Sequence, residues 1–263
     1  MPTFDTPSPV SARIDLAAGN VRIRATDRPL TVVEVRPHDE RSSADVQAAE
    51  QATVTCADGA LLVRTTGRPR LLFLGSGGQV DVDVALPEGS SVEVRTSAGD
   101  VSCSGRLGNA ALESRYGDLR LDTATGLRAR TSSGGITAGA VDGPTVAQTD
   151  YGDVRIGRTD GDARLRSTCG DVTVDRAAGT LVGSTNYGKV RVGEAVRGSL
   201  VLETAYGEVE AGIAAGTAAW LDLTSASGSI RTELAAADGP DDATDTVELR
   251  ARTAYGDVLV RRA

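Results

Sequence analysis

An acidic residue follows the glycine in most copies of a short motif that recurs along this chain. These acids are Asp100, Asp118, Asp153, Asp171, Glu208 and Asp257. Calcium prefers carboxylate oxygens, so the column of aspartates is a candidate metal site. However, the calcium-binding repeat Gly-Gly-x-Gly-x-Asp does not occur here, and Lys189 and Ser229 interrupt the column. We therefore expect no metal ion and no cofactor, and we expect Arg120, Arg155 and Arg191 to neutralise the acids.

Side chains for nucleophilic catalysis are scarce. The chain has one histidine, His38, in the loop-like run Pro37–Glu40 (PHDE), and a Ser/His or Cys/His site would have to be built around it. The three cysteines, Cys56, Cys103 and Cys169, have no zinc spacing and lie in phase with inward positions. We expect them to fill apolar space. The many acids give only a weak indication of a glycoside-cleaving carboxylate pair, so we predict that the protein is not an enzyme.

One apolar run is a candidate for contact with a partner. It consists of Leu71, Leu72, Phe73 and Leu74, and a glycine-rich segment at 75–78 follows it. If the run is exposed, it can dock another protein or touch a membrane. If it is buried, it is a cap strand followed by a loop, and this is the interpretation that we favour.

The elements that position these residues follow from the repeat. Its copies read Ser or Thr, any residue, a small residue or Tyr, Gly, usually an acid, and then Val, Leu or Ile. The glycines lie at 99, 117, 134, 152, 170, 188, 207, 228 and 256, with spacings of 18, 17, 18, 18, 18, 19, 21 and 28 residues. Short coils of this kind bury their apolar side only by stacking on one another. We predict a single-stranded β-solenoid with coils of about 18 residues, in which each strand pairs with its equivalent in the next coil.

Apolar and polar residues alternate on both sides of the repeated glycine, as in strands with one buried face. The glycine is therefore predicted to form a corner between two strands. The residue before the glycine has the inward phase, so Tyr116, Tyr151 and Tyr187 are predicted to point into the core. Small residues occupy this position in the coils between them and would make room for the rings, although Tyr206 breaks the alternation.

The first 90 residues are predicted to form a β-rich cap, and residues 91–263 the solenoid, as one continuous unit. The predicted strands of the cap are 11–16, 20–26, 31–36, 52–57, 60–65 and 80–86, with a helix at 42–51. A polar insertion at 235–244 (AAADGPDDAT) lengthens the last repeat. The acidic run at 238–245 and Arg261–Arg262 place charge near the C-terminal end, as protected sheet edges do.

The net charge of −8 argues against nucleic acid as a partner, because phosphate binding requires clustered positive charge. No segment has the length and apolarity of a transmembrane helix, and the first ten residues do not resemble a signal peptide. We therefore expect no direct membrane insertion and a cytoplasmic location.

The combination of an irregular β-rich start, the step Leu86–Gly89 (LPEG) and repeats such as Thr96–Val101 (TSAGDV) resembles a known family. This is the family called domain of unknown function 4097, the Toastrack-type "putative adhesin" family. The resemblance covers nearly the whole chain. It implies a right-handed β-helix, a role in interaction rather than catalysis, and a link to envelope stress or regulation. It supplies no catalytic residues.

Three functions remain open from the sequence. The first is a non-enzymatic scaffold that binds another protein through its solenoid faces or its cap, either as a monomer or as a homo-oligomer joined at the solenoid ends. The second is a structural protein that assembles into fibres through those ends. The third is a carbohydrate-binding or carbohydrate-cleaving β-helix, which requires a row of tyrosines on the outside.

Overall fold

The structure is a computed structural model that describes residues 2–65, 78–235 and 243–263. The chain forms two compact units, Met1–Ser133 and Gly134–Ala263. Strands make up the regular structure of the described residues, apart from one eight-residue helix. The prediction of an all-β fold with parallel pairing between repeats is therefore confirmed.

The described residues of the first unit form ten strands and the helix. They are β1 (Thr3–Asp5), β2 (Ser11–Leu16), β3 (Val21–Thr26), β4 (Leu30–Pro37), α1 (Ser43–Glu50), β5 (Thr53–Ala57), β6 (Ala60–Arg64), β7 (Val80–Pro87), β8 (Ser91–Ala98), β9 (Val101–Tyr116) and β10 (Leu119–Ser133). The six strands and the helix predicted for the first 90 residues are present, with ends within one residue of the prediction.

The chain order of the first unit is not its layer order. β2 pairs in parallel with both β6 and β8, and β3 pairs in parallel with both β7 and β9. The first two parallel strands of the chain therefore lie between two later layers, with both of their edges hydrogen-bonded. β4 and β5 add antiparallel strands to β7 and β6.

In the second unit, residues 134–235 and 243–263 form twelve strands in two parallel rows. They are β11 (Ile136–Val141), β12 (Thr145–Tyr151), β13 (Val154–Thr159), β14 (Ala163–Cys169), β15 (Val172–Ala178), β16 (Leu181–Tyr187), β17 (Val190–Tyr206), β18 (Val209–Ile213), β19 (Thr217–Ser227), β20 (Ile230–Thr232), β21 (Asp245–Tyr255) and β22 (Val258–Arg262). The pairing of β12 with β14 and of β13 with β15 joins residues 18 apart, as in Ala147↔Leu165 and Val154↔Val172.

Apolar columns run from layer to layer between these two rows. Val154, Val172, Val190 and Val209 are in register and at most 1% exposed. β-Branched side chains suit this stacking because their stiff side chains pack well on a pleated surface. Removing the inner face of each strand from water in this way is the main stabilisation of the unit.

The C-terminal strands depart from the predicted coil-by-coil order. β21 lies between β17 and β19, and β22 lies between β18 and β20. Terminal strands fray unless both of their edges are tied down, and this insertion hydrogen-bonds both. Arg261 and Arg262 pair with β18, past the last residue of β22 that pairs with β20. Arg262 donates to the carbonyls of Ala214 and Thr217, at 2.9 Å each. Most of the predicted insertion at 235–244 lies outside the described residues.

Corners between the rows combine a glycine with a hydroxyl of the preceding strand. Gly152 and Gly170 have φ of +145° and +148°, and a Cβ on Gly170 would lie 2.1 Å from the carbonyl oxygen of Gly152. Only glycine fits such a position. The hydroxyl of Ser167 donates to the Gly152 carbonyl at 2.8 Å, and that of Thr185 donates to the Gly170 carbonyl at 2.8 Å. The predicted corners are confirmed.

Replacing Thr185 with valine is expected to reduce the free energy of unfolding by about 1–2 kcal/mol, because the substitution keeps the shape and removes the hydrogen bond to Gly170. Thr185→Ser, which retains the hydroxyl, is the control and should lose less. Urea unfolding of the three proteins measures the difference. Equal losses for valine and serine would show that the methyl group matters and the hydrogen bond does not.

Candidate functional site

The aspartate column binds backbone of the neighbouring layer. In the first unit Asp118 N–H donates to Asp100 Oδ1 at 2.9 Å. In the second, Asp171 N–H donates to Asp153 Oδ1 at 2.9 Å, and Lys189 N–H donates to Asp171 Oδ1 at 2.8 Å. Lys189 interrupts the carboxylates of the column, but its backbone N–H donates to the preceding layer as the aspartate N–H groups do. The column therefore satisfies backbone N–H groups at the corners.

Arginines pair with the same carboxylates. Arg120 lies 2.6 Å from Asp118, and Arg155 lies 3.0 Å from Asp153. Within the described ranges, no three His, Cys, Asp or Glu side chains come together in a group that would hold a metal ion. The candidate metal ligands Asp100, Asp118, Asp153 and Asp171 thus have a structural role in the corners.

At the far end of the column, Asp257 makes the protein sensitive to acid. Its Oδ1 accepts a hydrogen bond from Ser229 N–H at 2.8 Å, and this bond lowers the pKa of Asp257 below its ordinary value of 3.8. A lowered folded-state pKa adds stability above the unfolded pKa, and the stability is lost as the pH falls through the folded value. The melting temperatures of the wild type and Asp257→Asn should therefore differ at about pH 5 and converge as the pH falls below the ordinary pKa of 3.8. A difference in melting temperature that does not change with pH would contradict this role of the carboxylate.

The tyrosines stand outside the core, which corrects the prediction that they point inward. Tyr116 in the first unit is 65% exposed, and the four tyrosines of the second unit are between 49% and 65% exposed. In each copy, the last buried residue of the strand is the Ser or Thr two residues before the tyrosine. Its hydroxyl donates a hydrogen bond to the carbonyl of a corner glycine. The chain turns at the glycine directly after the tyrosine, so the ring leaves from the outside of the corner.

Three of these rings form a stack along the second unit. Tyr187 and Tyr206 have ring centroids 5.1 Å apart and planes within 5°, and Tyr206 and Tyr255 have centroids 5.0 Å apart and planes within 3°. Exposure falls as ring neighbours are added: Tyr151 (65%) has none, Tyr187 (57%) and Tyr255 (55%) have one, and Tyr206 (49%) has two. The stack therefore presents mainly its ring edges to solvent.

We call the register column formed by Tyr151, Cys169, Tyr187, Tyr206, Tyr255 and Ser227 the tyrosine ladder. The sequence hid the contact between Tyr206 and Tyr255, because β19 and β20 separate these tyrosines along the chain. The signal that would have revealed their exposure is the glycine directly after each ring, since the strand ends there.

The comparisons with known proteins support the resemblance. The family model for Toastrack DUF4097 matches residues 12–262. The chain belongs to this family.

Two of the solved structures similar to this Toastrack chain cover nearly its whole length. A "putative adhesin" from Bacteroides fragilis is 10% identical, with 98% of this chain and 95% of that chain covered and a TM-score of 0.48. A "putative lipid binding protein" from Parabacteroides distasonis is 11% identical, with 100% and 95% covered and a TM-score of 0.46. No curated protein matches the Toastrack chain.

The cysteines of the Toastrack chain differ in their surroundings. Cys103 is buried as predicted, and burial raises the pKa of its thiol to about 12. Cys56 and Cys169 are only half-buried, so the prediction that all three fill apolar space is wrong for these two. Cys169 lies in the tyrosine ladder, outside the core, for the same reason as the tyrosines. His38 is half-exposed and its ring lies 3.2 Å from Asp81.

Two further predictions concern segments rather than the ladder. The candidate partner-binding residues Leu71, Leu72, Phe73 and Leu74 lie outside the described residues. In the part of the Toastrack chain that the structure describes, no helix has both the length and the apolar character needed to cross a bilayer.

Proposed function

We propose that this Toastrack chain is a non-enzymatic scaffold that binds a partner protein through its tyrosine ladder. The scaffold in this proposal is a right-handed, single-stranded β-helix with coils of about 18 residues. The observation that carries the proposal is the row of exposed rings at one corner. Exposed tyrosines in contact with one another are unusual on a surface that serves only solubility, because they leave apolar area in water.

Tyrosine is also the side chain that protein interfaces favour. It buries a large area, loses little conformational entropy on binding, and keeps a hydroxyl for hydrogen bonds. Stacking holds Tyr187, Tyr206 and Tyr255 in place before a partner arrives, so little freedom remains to be lost on binding. The stacked edges suit a partner that contacts several layers at once.

A second candidate function is carbohydrate binding, which the exposed row of tyrosines also supports. Sugar rings stack on open aromatic faces. Both faces of Tyr206 are covered by its neighbours, so the stacked part of the ladder offers a sugar few open faces. We therefore place protein binding first.

The test compares wild-type protein with a variant in which Tyr151, Tyr187, Tyr206 and Tyr255 are all alanine. Random peptides displayed on phage are selected on the wild type, and their affinity for both proteins is then measured. We expect the substitutions to weaken binding by about tenfold or more, since buried tyrosines dominate interface energies. The control is Trp220→Ala, which removes an exposed aromatic residue outside the ladder.

A glycan array probed with the same proteins forms the second arm. Peptide binding that depends on the tyrosines and not on Trp220 supports the proposal. Glycan binding that depends on the tyrosines, without selected peptides, would replace it with the carbohydrate function. Peptides that bind the alanine variant as well as the wild type would contradict protein binding by the ladder, and the absence of tyrosine-dependent glycan binding would contradict the carbohydrate function.

A further inference from the structure

The tyrosine ladder of the second unit lacks one ring. Tyr151 pairs in register with Cys169, and Cys169 pairs in register with Tyr187. The small side chain of Cys169 occupies the position between two exposed rings. Tyr206, two layers along, is the filled counterpart, since it has a ring on either side.

The spacing of the layers determines what fits this gap. Neighbouring strands lie about 4.8 Å apart, so the rings of Tyr151 and Tyr187 are separated by two steps, or about 10 Å. A flat ring midway would lie about 5 Å from each, within the range in which aromatic rings attract one another. Tyr206 has this relation to its neighbours, at 5.1 and 5.0 Å. The gap therefore has the dimensions of one aromatic ring.

Both walls and the floor of the gap are accessible. Among the described residues, Tyr151 has no stacked ring partner and Tyr187 is stacked only with Tyr206, so the faces of Tyr151 and Tyr187 that look along the ladder towards Cys169 carry no other described ring. Cys169 is half-buried and is a free cysteine. An aromatic ring that enters the gap covers two open ring faces at once.

Polar residues directly precede the three residues of the gap along the chain. Asp150 and Asn186 precede the two wall tyrosines, and Thr168 precedes Cys169. Asp150 and Thr168 are half-buried and Asn186 is exposed. Side chains of these types carry acceptors and donors that suit the backbone of an incoming peptide, a phenol hydroxyl or an indole N–H.

We propose that the gap between Tyr151 and Tyr187 binds the aromatic side chain of a partner polypeptide, which completes the ladder above Cys169. This inference rests on the proposed function and specifies it, because it names the group on the partner that makes the central contact. The incoming ring takes the place that Tyr206 holds in its own layer. The affinity then depends on both walls and on a small residue at position 169.

The test uses Cys169 as a built-in anchor and needs no identified partner. In a Cys56→Ser background, Cys103 does not compete because its buried thiol stays protonated at neutral pH. Three small compounds are attached to Cys169 by thiol–disulfide exchange, each at increasing concentrations of 2-mercaptoethanol. They carry a 4-hydroxybenzyl group, a cyclohexylmethyl group of similar size, or a 1-thioglucose.

We expect the hydroxybenzyl group to remain attached at roughly tenfold more reductant than the cyclohexylmethyl group, because only a flat ring stacks on both walls. Tyr151→Ala, and separately Tyr187→Ala, should remove this preference. Equal retention of the two groups in the wild type would overturn the proposal. Stronger retention of thioglucose would overturn it in favour of a sugar-ring site.

A second variant tests the gap with the peptides selected on the ladder. Cys169→Tyr fills the gap from within, so it should weaken peptide binding about tenfold, while the control Trp220→Ala, outside the ladder, leaves it unchanged. The selected peptides could bind Cys169→Tyr as well as the wild type and still lose affinity when the other tyrosines are removed. This result would overturn the proposal that the gap is the binding site and leave the ladder as the binding face. If no peptides are selected at all, the ladder function fails, and the disulfide experiment still decides the gap.

Discussion

Replacing Gly170 with alanine is expected to reduce the free energy of unfolding by about 3–5 kcal/mol, the range of the most damaging single substitutions. Gly170 has φ of +148°, where an alanine is strained by about 1–3 kcal/mol. The larger part comes from the new Cβ, which would lie 2.1 Å from the Gly152 carbonyl oxygen and 2.5 Å from its carbon. These are backbone atoms of the next layer, so the layers themselves have to separate.

The matched control is Gly216→Ala. Gly216 also has a positive φ, of +76°, but a Cβ there meets nothing within 4 Å. Its substitution should cost only about 1 kcal/mol, from backbone strain. Urea unfolding of the two variants separates the strain from the collision. Similar losses at the two positions would mean that the layers move apart easily and that the corner is less tightly built than the distances indicate.

Replacing Leu249 with alanine is expected to cost about 3–4 kcal/mol, and replacing Leu221 about 1 kcal/mol. The two leucines are register partners on β21 and β19. Leu249 also pairs with Leu200 on its other side and is fully buried, whereas Leu221 on the outer strand is half-exposed. Deleting side-chain atoms between two layers leaves a cavity, but deleting them at the outer layer does not.

This pair distinguishes the observed layer order from the order of the chain. If the layers followed the chain, β21 would be the outer strand, and Leu249→Ala would be the milder substitution. Thermal or urea unfolding of the two alanine variants decides between the two orders. A larger loss at Leu221 than at Leu249 would contradict the insertion of β21 between β17 and β19.

The repeat explains why much of the fold could be predicted from the sequence and why the order of the layers could not. Regular glycine spacing and period-two alternation predict the strands and corners, and both are present. Yet every layer carries nearly the same motif, so any layer offers the next one an equivalent edge. A repeated pattern specifies the register within a pair of strands but gives little information about which strands pair. The position of β21 depends on burying both edges of a terminal strand, which no local pattern encodes.

The same limit applies at the start of the chain. The bounds of β2 and β3 were predicted to within one residue, but these strands were assigned to an irregular cap. In the structure, Val21 pairs with Val101, and Asp100 N–H donates to Asn20 Oδ1 at 2.9 Å. The side chain of Asn20 thus accepts a hydrogen bond from the backbone N–H of Asp100, just as the side chain of Asp100 accepts one from the backbone N–H of Asp118. An asparagine in place of the usual acid concealed that equivalence in the sequence.

The exposure of the tyrosines was the part of the site that alternation predicted wrongly. Period two assigns a side chain to a face only while the strand continues, and each tyrosine is the last residue before a corner. Tyr151 shares the phase of the buried Thr149, but the Thr149 hydroxyl donates to a corner carbonyl at 2.9 Å and closes the core there. A ring one step further on lies beyond that closure and faces solvent.

The most direct test of the account is hydroxyl-radical footprinting of the five tyrosines in the native protein, read residue by residue by mass spectrometry. We predict that all five tyrosines are oxidised without unfolding of the protein. Tyr116 and Tyr151 should react fastest, and the doubly stacked Tyr206 slowest. Tyrosines that are oxidised only once the protein unfolds would contradict it, because rings buried between layers can form neither an exposed ladder nor a gap that receives a partner's ring.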